Sequence, residues 1–462
     1  MTSWLPDRAQ LRRPIYRSLL NAVIEAIEDG RLAAGTRLPT HRALAHRLNI
    51  SVQTVSRTYE ELTRRSLIVG EVGRGTFVRP EKPVPAPPFI EERSERGLID
   101  LSILKPVVDA LHVERAKAAL GALRADLPAK VLFSFRPSRL QGNYREIALS
   151  WLQRCGVVTR ANQVHITNGA TPAMTIALMA AARGGGLVAT EAVGHHTLRP
   201  LVNYLGGRLM GLECDQDGIV PEAFEEACAT YEVKVLYVVP SCANPTVTMV
   251  SLTRREALVE IARRHGVAIV ENDAWGPLVE NRPPPFASLA PERTLYITSF
   301  TKIVMPGLRT GYLVAPETMS SAIANRHLVT NWIATPLLSE LASRWVADGT
   351  AWELVQWQRQ ALRARHKLVG ETLTGIGYNG QCDSLHIWLP LPSSWREEEF
   401  VGHARLVGVA IAPGSSFVTD PSTQTSAVRI SVGATSAEDL RHGLEVVARL
   451  ARGEPEPALL AI

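Results

Sequence analysis

No stretch of eighteen consecutive apolar residues occurs in the 462-residue chain, so a membrane-spanning helix is not expected. The first residues, Met1-Thr2-Ser3-Trp4-Leu5-Pro6-Asp7-Arg8, lack the apolar core of a secretory signal. Cysteine is scarce: five residues, at 155, 214, 228, 242 and 382, an odd total with no C-x-x-C pair. That excludes a disulfide framework and suits a reducing cytoplasm. The twelve histidines offer no H-E-x-x-H or related spacing, and His195 and His196 read as neighbours in sequence only, so no metal site is expected. There is no internal repeat, and lysine is absent from the first eighty residues.

Those eighty residues are rich in arginine instead. Thirteen Arg against seven Asp and Glu give them a charge of +6, whereas the remaining 382 residues hold 37 basic and 38 acidic side chains. The whole positive excess therefore lies at one end, as a nucleic-acid contact domain requires. The length predicts two or three domains, and the 46% hydrophobic content is ample for a large core.

Local signals divide the chain. Pro14 suits a first helical position, and Ile15, Leu19, Val23 and Ile27 repeat at helical spacing until Asp29-Gly30. Thr40 reads as the N-cap of a short helix carrying Leu44 and Leu48, and Ser51 as the cap of a second with Val55, Tyr59 and Leu62 on one face. Leu67-Ile68-Val69 and Thr76-Phe77-Val78 flank a glycine-rich turn and predict a hairpin. Helix, helix–turn–helix and hairpin together make a winged helix over residues 1–80. Prolines and then charges at 81–98 read as a linker.

Residues 99–462 alternate between short apolar runs and helical segments. The runs are Val164–Thr167, Leu187–Thr190, Val233–Val239, Gly266–Val270, Thr294–Thr298 and Gly311–Val314; the helices include one from after Pro172 to Ala182 and another over Arg254–Arg264. This βα alternation predicts an α/β domain with a mostly parallel central sheet, its large part at about 130–330. A small α+β part at about 335–455 follows: a long helical stretch around Ser339–Leu373, β-prone Leu385–Leu389 and Val428–Val432, and a last helix from Ala437.

In a helix–turn–helix, the second helix enters the major groove with its N-terminal residues at base edges. Gln53, Thr54 and Arg57 hold those places, while Arg42 and the hairpin's Arg74 and Thr76 can meet phosphate or the minor groove. Pro14-Ile15-Tyr16, Gly35-Thr36-Arg37-Leu38-Pro39-Thr40-His41-Arg42, Thr54-Val55 and Gly73-Arg74-Gly75-Thr76-Phe77-Val78 closely resemble the GntR-type winged helix. That resemblance implies a double-stranded DNA operator as partner. Val52 stands where many members carry a basic residue, so the usual operator bases are not carried over.

A second constellation follows the strand at Thr294–Thr298: Ser299-Phe300-Thr301-Lys302 and, seven residues beyond the lysine, Arg309 in a Pro-Gly turn. A lysine whose pKa is lowered by its site forms a Schiff base with an aldehyde, and an arginine grips a phosphate bidentately. Asn168-Gly169-Ala170-Thr171, between strand and helix, offers backbone N–H groups at a helix N-terminus.

In this order the motifs resemble a fold-type I aminotransferase domain, and the whole chain is similar to MocR-type regulators. The resemblance implies pyridoxal 5'-phosphate on Lys302, the candidate catalytic residue, with Ser299, Thr301, Arg309, Gly169, Ala170 and Thr171 around its phosphate. It implies Asn244 at the ring hydroxyl, His195 stacked on the ring where the family usually has Tyr, and Arg429 clamping the carboxylate of an amino-acid effector. Where the family carries an Asp at the pyridine nitrogen and a Tyr three residues later, the simplest register gives Asn272 and Trp275, and a shift of one residue gives Asp273. Both registers stay open at the level of sequence.

A neutral amide stabilises a pyridinium less than a carboxylate does. With His195, this favours a cytoplasmic sensor of an amine or amino acid, without sustained turnover, and the resemblance implies a homodimer. Two rivals stand beside it: a working aminotransferase that carries a DNA-binding domain, and an empty aminotransferase scaffold.

Overall fold

The computed structural model describes residues 6, 8, 11–12, 14–28, 31–33, 35–64, 67–71, 75–79, 97–133, 137–420 and 423–454. They divide into two compact units, residues 1–92 and 93–462. The expected linker at 81–98 falls, except for its last two positions, outside the described residues, as does Arg74.

The first unit contains helices α1 (Ile15–Glu28), α2 (His41–Leu48) and α3 (Val52–Arg64) and an antiparallel hairpin of β1 (Ile68–Glu71) and β2 (Gly75–Val78). Its boundaries have local causes. Thr40 Oγ1 accepts from the Ala43 N–H at 3.2 Å to open α2, and Asn49 closes it in the left-handed conformation at φ 47°. Ser51 Oγ accepts from the Thr54 N–H at 3.1 Å to open α3. Leu19, Val23, Leu44, Val55, Leu62 and Ile68 are fully buried in one core, each contributing about 1.5–3 kcal/mol. The Tyr59 hydroxyl donates to the Pro39 carbonyl at 2.8 Å, tying α3 to the turn ahead of α2.

The second unit is built on a seven-stranded sheet in the order 164–167, 311–314, 294–299, 268–272, 233–238, 187–191, 208–212. Gly311–Val314 runs antiparallel to both its neighbours, and every other pairing is parallel. The segment from Ser299 to Gly311 is filled by two short 3-10 turns, too little chain for a helical crossover, so the next strand returns antiparallel. The strands 164–167, 187–191 and 294–299 are buried at every position. Helices therefore cover both faces, as expected of such a sheet.

A three-stranded sheet of His386–Pro390, Ala427–Ser431 and Ala412–Pro413, with helices Glu397–Leu406 and Ala437–Arg452, forms the C-terminal part. Ile99–Asp100 pairs in parallel with Val409–Ala410, so the start of the unit is fastened to its end.

Three local expectations need correction. The helix expected after Pro172 already begins at Ala170, with the proline in its first turn, where a missing N–H costs nothing. The stretch Ser339–Leu373 is two helices, Pro336–Ala347 and Thr350–Thr372, broken where Gly349 takes φ 89°. The strand expected at Gly266–Val270 lies at Ala268–Asn272, because Gly266 turns the chain at φ 68°. The strand Arg208–Leu212 and the helix Glu317–Asn331 were not anticipated.

Candidate functional site

The chemistry-bearing residues gather beyond the ends of the sheet strands, where open α/β sheets hold their ligands. The strand Thr294–Ser299 runs into a 3-10 turn, Phe300–Lys302. Ser299 Oγ accepts from the Thr301 N–H at 3.3 Å and donates to the Thr310 carbonyl at 3.2 Å, so one buried hydroxyl joins the lysine turn to the arginine turn. Arg309 holds φ 42° and ψ 33°. A left-handed arginine is uncommon and costs energy, which the surrounding turn must supply.

Opposite Arg309 stands Gly169, the N-cap of the helix Ala170–Ala181, at φ 97°. A Cβ placed there would lie 3.4 Å from Thr301 Oγ1 and 3.6 Å from Arg309 Nη2. One at Gly311 would lie 3.2 Å from the Gly169 Cα. Gly169 by its positive φ, and Gly311 by the close backbone approach, let a helix N-terminus, a hydroxyl and a guanidinium converge. Ala170 and Thr171 follow in the first turn, their N–H groups among those a helix leaves unpaired. The Thr171 side chain itself is exposed.

Lys302 Nζ donates to the Leu104 carbonyl. Burial, then the charges of Arg429, Arg309 and Lys105, push its pKa down to about 8. Arg429, 4% exposed, donates through Nη1 to Asn244 Oδ1 at 3.0 Å and through Nη2 to the Ser102 carbonyl. Its guanidinium lies over the Phe417 ring, 4.8 Å from the centroid, and burial lowers its pKa to about 10. The segment around Ser102 and Leu104, which sequence reasoning passed over, therefore touches both cations. Its sequence carries no signal beyond hydrophobicity.

Asn272 and Asp273 part company by strand alternation. Asn272 Nδ2 donates to the Tyr237 hydroxyl at 2.7 Å, and its Oδ1 is buried without a partner. The Asp273 carboxylate accepts from Arg282 Nη1 at 2.5 Å and from the Tyr296 hydroxyl at 2.7 Å. Burial works against charge on Arg282, but Asp273 and Tyr296 more than offset it and raise its pKa. Trp275 Nε1 donates to the Ser241 and Cys242 carbonyls at 2.9 and 3.1 Å, so its polar atom is committed to backbone.

His195 sits 6.3 Å from the Tyr237 ring centroid, and its Nδ1 lies 2.9 Å from Thr197 Oγ1. Burial, then Lys302 and Arg429, lower its pKa to about 4. The reading of His195 and His196 as neighbours in sequence only is corrected: their rings stack at 5.1 Å and 27°. Tyr237 was missed altogether, since a tyrosine within an apolar strand run reads as core.

In the N-terminal unit, Arg42, Gln53 and Arg57 are exposed. Arg57 lies 4.1 Å over the Tyr16 ring, beside a cleft of about 740 Å³ that Gln53, Thr54 and Arg57 share with Pro14, Ile15, Tyr16 and Ser51. The Thr54 hydroxyl is 2.8 Å from Ser51 Oγ, which makes it a poorer free donor than expected. Thr76 pairs with Gly70 in the hairpin, and its carbonyl accepts from the Leu38 N–H at 2.8 Å. No described helix is long and apolar enough to cross a membrane.

Comparison with known proteins agrees with this division. Residues 98–447 match the family model "Aminotransferase class I and II", and residues 15–78 match "Bacterial regulatory proteins, gntR family". The HTH-type transcriptional regulator YdeF of Bacillus subtilis is 28% identical over 97% of this chain and 96% of its own length. The HTH-type pyridoxine biosynthesis transcriptional regulator PdxR of Corynebacterium glutamicum is 26% identical over 78% of this chain and 79% of its own. Among solved structures, LysN, the alpha-aminoadipate aminotransferase of Thermus thermophilus complexed with N-(5'-phosphopyridoxyl)-L-leucine, shares the fold with a TM-score of 0.68. It is 23% identical and covers 77% of this chain and 92% of its own. The chain therefore belongs to the class I and II aminotransferase family and, with a gntR-family DNA-binding domain at its N-terminal end, has the make-up of a MocR-type regulator.

Proposed function

We propose that this chain is a ligand-responsive transcription regulator in which Lys302 holds pyridoxal phosphate and an amino acid or amine is the effector. The observation that carries the reading is the meeting of Lys302, its pKa lowered to about 8, with the Gly169, Thr301 and Arg309 cradle. The donor set fits the group. A helix N-terminus, the Thr301 hydroxyl and the Arg309 guanidinium converge at Gly169 as an anionic phosphate requires, and the buried Asn272 amide keeps hydrogen-bonding capacity that no protein group uses.

Ser299, Thr301, Arg309 and the N–H groups at Gly169, Ala170 and Thr171 would hold the phosphate. Asn244 would meet the ring hydroxyl, His195 the ring face, and Asn272 and Trp275 the edge opposite. Asp273 is engaged by Arg282 and Tyr296, which favours the Asn272 register. When bound, the cofactor supplies an aldehyde carbon that takes up primary amines. Arg429, already desolvated, would receive an effector carboxylate in place of its present oxygen partners.

An effector that favours one of two states of the protein shifts DNA affinity by its differential affinity for them. The gntR-type unit would read operator DNA through Gln53, Thr54 and Arg57, with Arg42 and Thr76, and Arg74 by its place in the sequence, as candidates for backbone contacts. Family likeness supports a homodimer reading two half-sites, and the scattered cysteines support a cytoplasmic protein.

The test is DNA binding by the purified protein, on fragments selected from a random pool, with pyridoxal phosphate and then an amino-acid and amine panel. The expected result is one amine class that changes DNA affinity by about 5–150-fold. No change with any amine removes the effector reading. Sustained keto-acid formation at about 1–10³ per second would establish the aminotransferase reading instead.

A further inference from the structure

The strand Ala268–Asn272 ends at a group without formal charge. Asn272 is 3% exposed and Tyr237 fully buried, and the amide nitrogen of one donates to the hydroxyl oxygen of the other at 2.7 Å. In that arrangement the Tyr237 hydrogen is left for another acceptor and Asn272 Oδ1 has none to accept from. A half-turn of the amide satisfies both: the Tyr237 hydroxyl donates to Oδ1, and Nδ2 points outward as a donor. An amide's oxygen and nitrogen exchange places without altering its shape. Either way, the pair offers a hydrogen to whatever lies beyond it.

We propose that Tyr237 and Asn272 act together as an uncharged donor to the pyridine nitrogen of the cofactor, so that the ring stays unprotonated and a bound amine is held without being driven on to a keto acid. This rests on the reading that pyridoxal phosphate binds at Lys302. Tyr237 is a positioning residue here: it fixes which end of the Asn272 amide faces outward.

The surrounding charges favour the same state. Burial, then the charges of Lys302 and Arg429, take His195, 6.3 Å from Tyr237, down to about 4. Burial and the Arg429 charge act against a proton on a pyridine nitrogen in those surroundings as well. His196, behind His195, is lowered as well. The nearest carboxylates do not oppose this. Asp273 is spent on Arg282 and Tyr296. Glu191, the carboxylate that acts on Tyr237, is pushed toward its neutral form by burial and accepts from Thr190 Oγ1 at 2.7 Å and the Val239 N–H at 3.2 Å.

The full chain, loaded with pyridoxal phosphate labelled with ¹⁵N in the ring, tests this by nuclear magnetic resonance. In the unaltered protein, the resonance is expected at the position of a hydrogen-bonded, unprotonated pyridine. In Asn272→Asp it is expected to move to the pyridinium position. In Tyr237→Phe, with label still taken up, it is expected to shift because the amide is no longer held. A pyridinium resonance in the unaltered protein overturns the proposal by itself, whether or not either variant folds. An unmoved resonance in Tyr237→Phe overturns the part given to Tyr237. Failure of the unaltered protein to take up label overturns the cofactor reading as well, and so is distinguishable from the first two results.

Discussion

The amine of Lys302 reacts with an aldehyde only when unprotonated, so its lowered pKa sets a rate that can be measured. With a pKa of about 8, about 10% of the side chains are neutral at pH 7, against about 0.03% for an ordinary lysine, a gain of about 300-fold. The sign follows from the causes: burial and three neighbouring cations all disfavour the charged form. Stopped-flow absorbance after mixing cofactor-free protein with pyridoxal phosphate should show the rate rising about tenfold per pH unit up to pH 8 and levelling above it. Arg429→Met removes the cation with the largest effect on Lys302, so the levelling should move to higher pH. A rate that still climbs tenfold per unit through pH 10 in the unaltered protein would show an ordinary lysine and refute the reasoning.

Two further predictions concern stability and DNA. Arg282→Met leaves the Asp273 carboxylate, fully buried and otherwise bonded only to the Tyr296 hydroxyl, without its cation. The expected loss is about 3–5 kcal/mol, read from urea unfolding, and a loss under about 1 kcal/mol would mean that the pair adds little. Arg42→Ala and Arg57→Ala should each weaken DNA binding and reduce the slope of log affinity against log salt by about 0.9. An unchanged slope in both would remove those residues from the phosphate contacts.

The winged helix was legible in the sequence because its determinants are local. Thr40, Asn49 and Ser51 cap and close helices through neighbours within a few residues, and Leu19, Val23 and Val55 recur at helical spacing. The gathering of Ser299, Lys302 and Arg309 was legible for a related reason: they sit in one turn region, and strand order brings Gly169 to it. The choice between Asn272 and Asp273 was not legible. Which of the two is already engaged by a charge depends on Tyr237, Arg282 and Tyr296, all brought in by the fold. Ser102 and Leu104 were missed for the same reason. Their carbonyls meet Arg429 and Lys302 across more than 190 residues of chain, and a backbone acceptor leaves no mark in a sequence. The break at Gly349 could have been read, since an Asp-Gly pair within a helical run is a stop signal.

The claim on which the account turns is that the ε-amino group of Lys302 is the attachment point for pyridoxal phosphate. Reduction of the loaded protein with borohydride, followed by peptide mass mapping, tests it directly. A phosphopyridoxyl group is expected on the peptide containing Lys302 and none on the Lys302→Ala protein. An adduct on any other lysine, or an equal yield from Lys302→Ala, would contradict it.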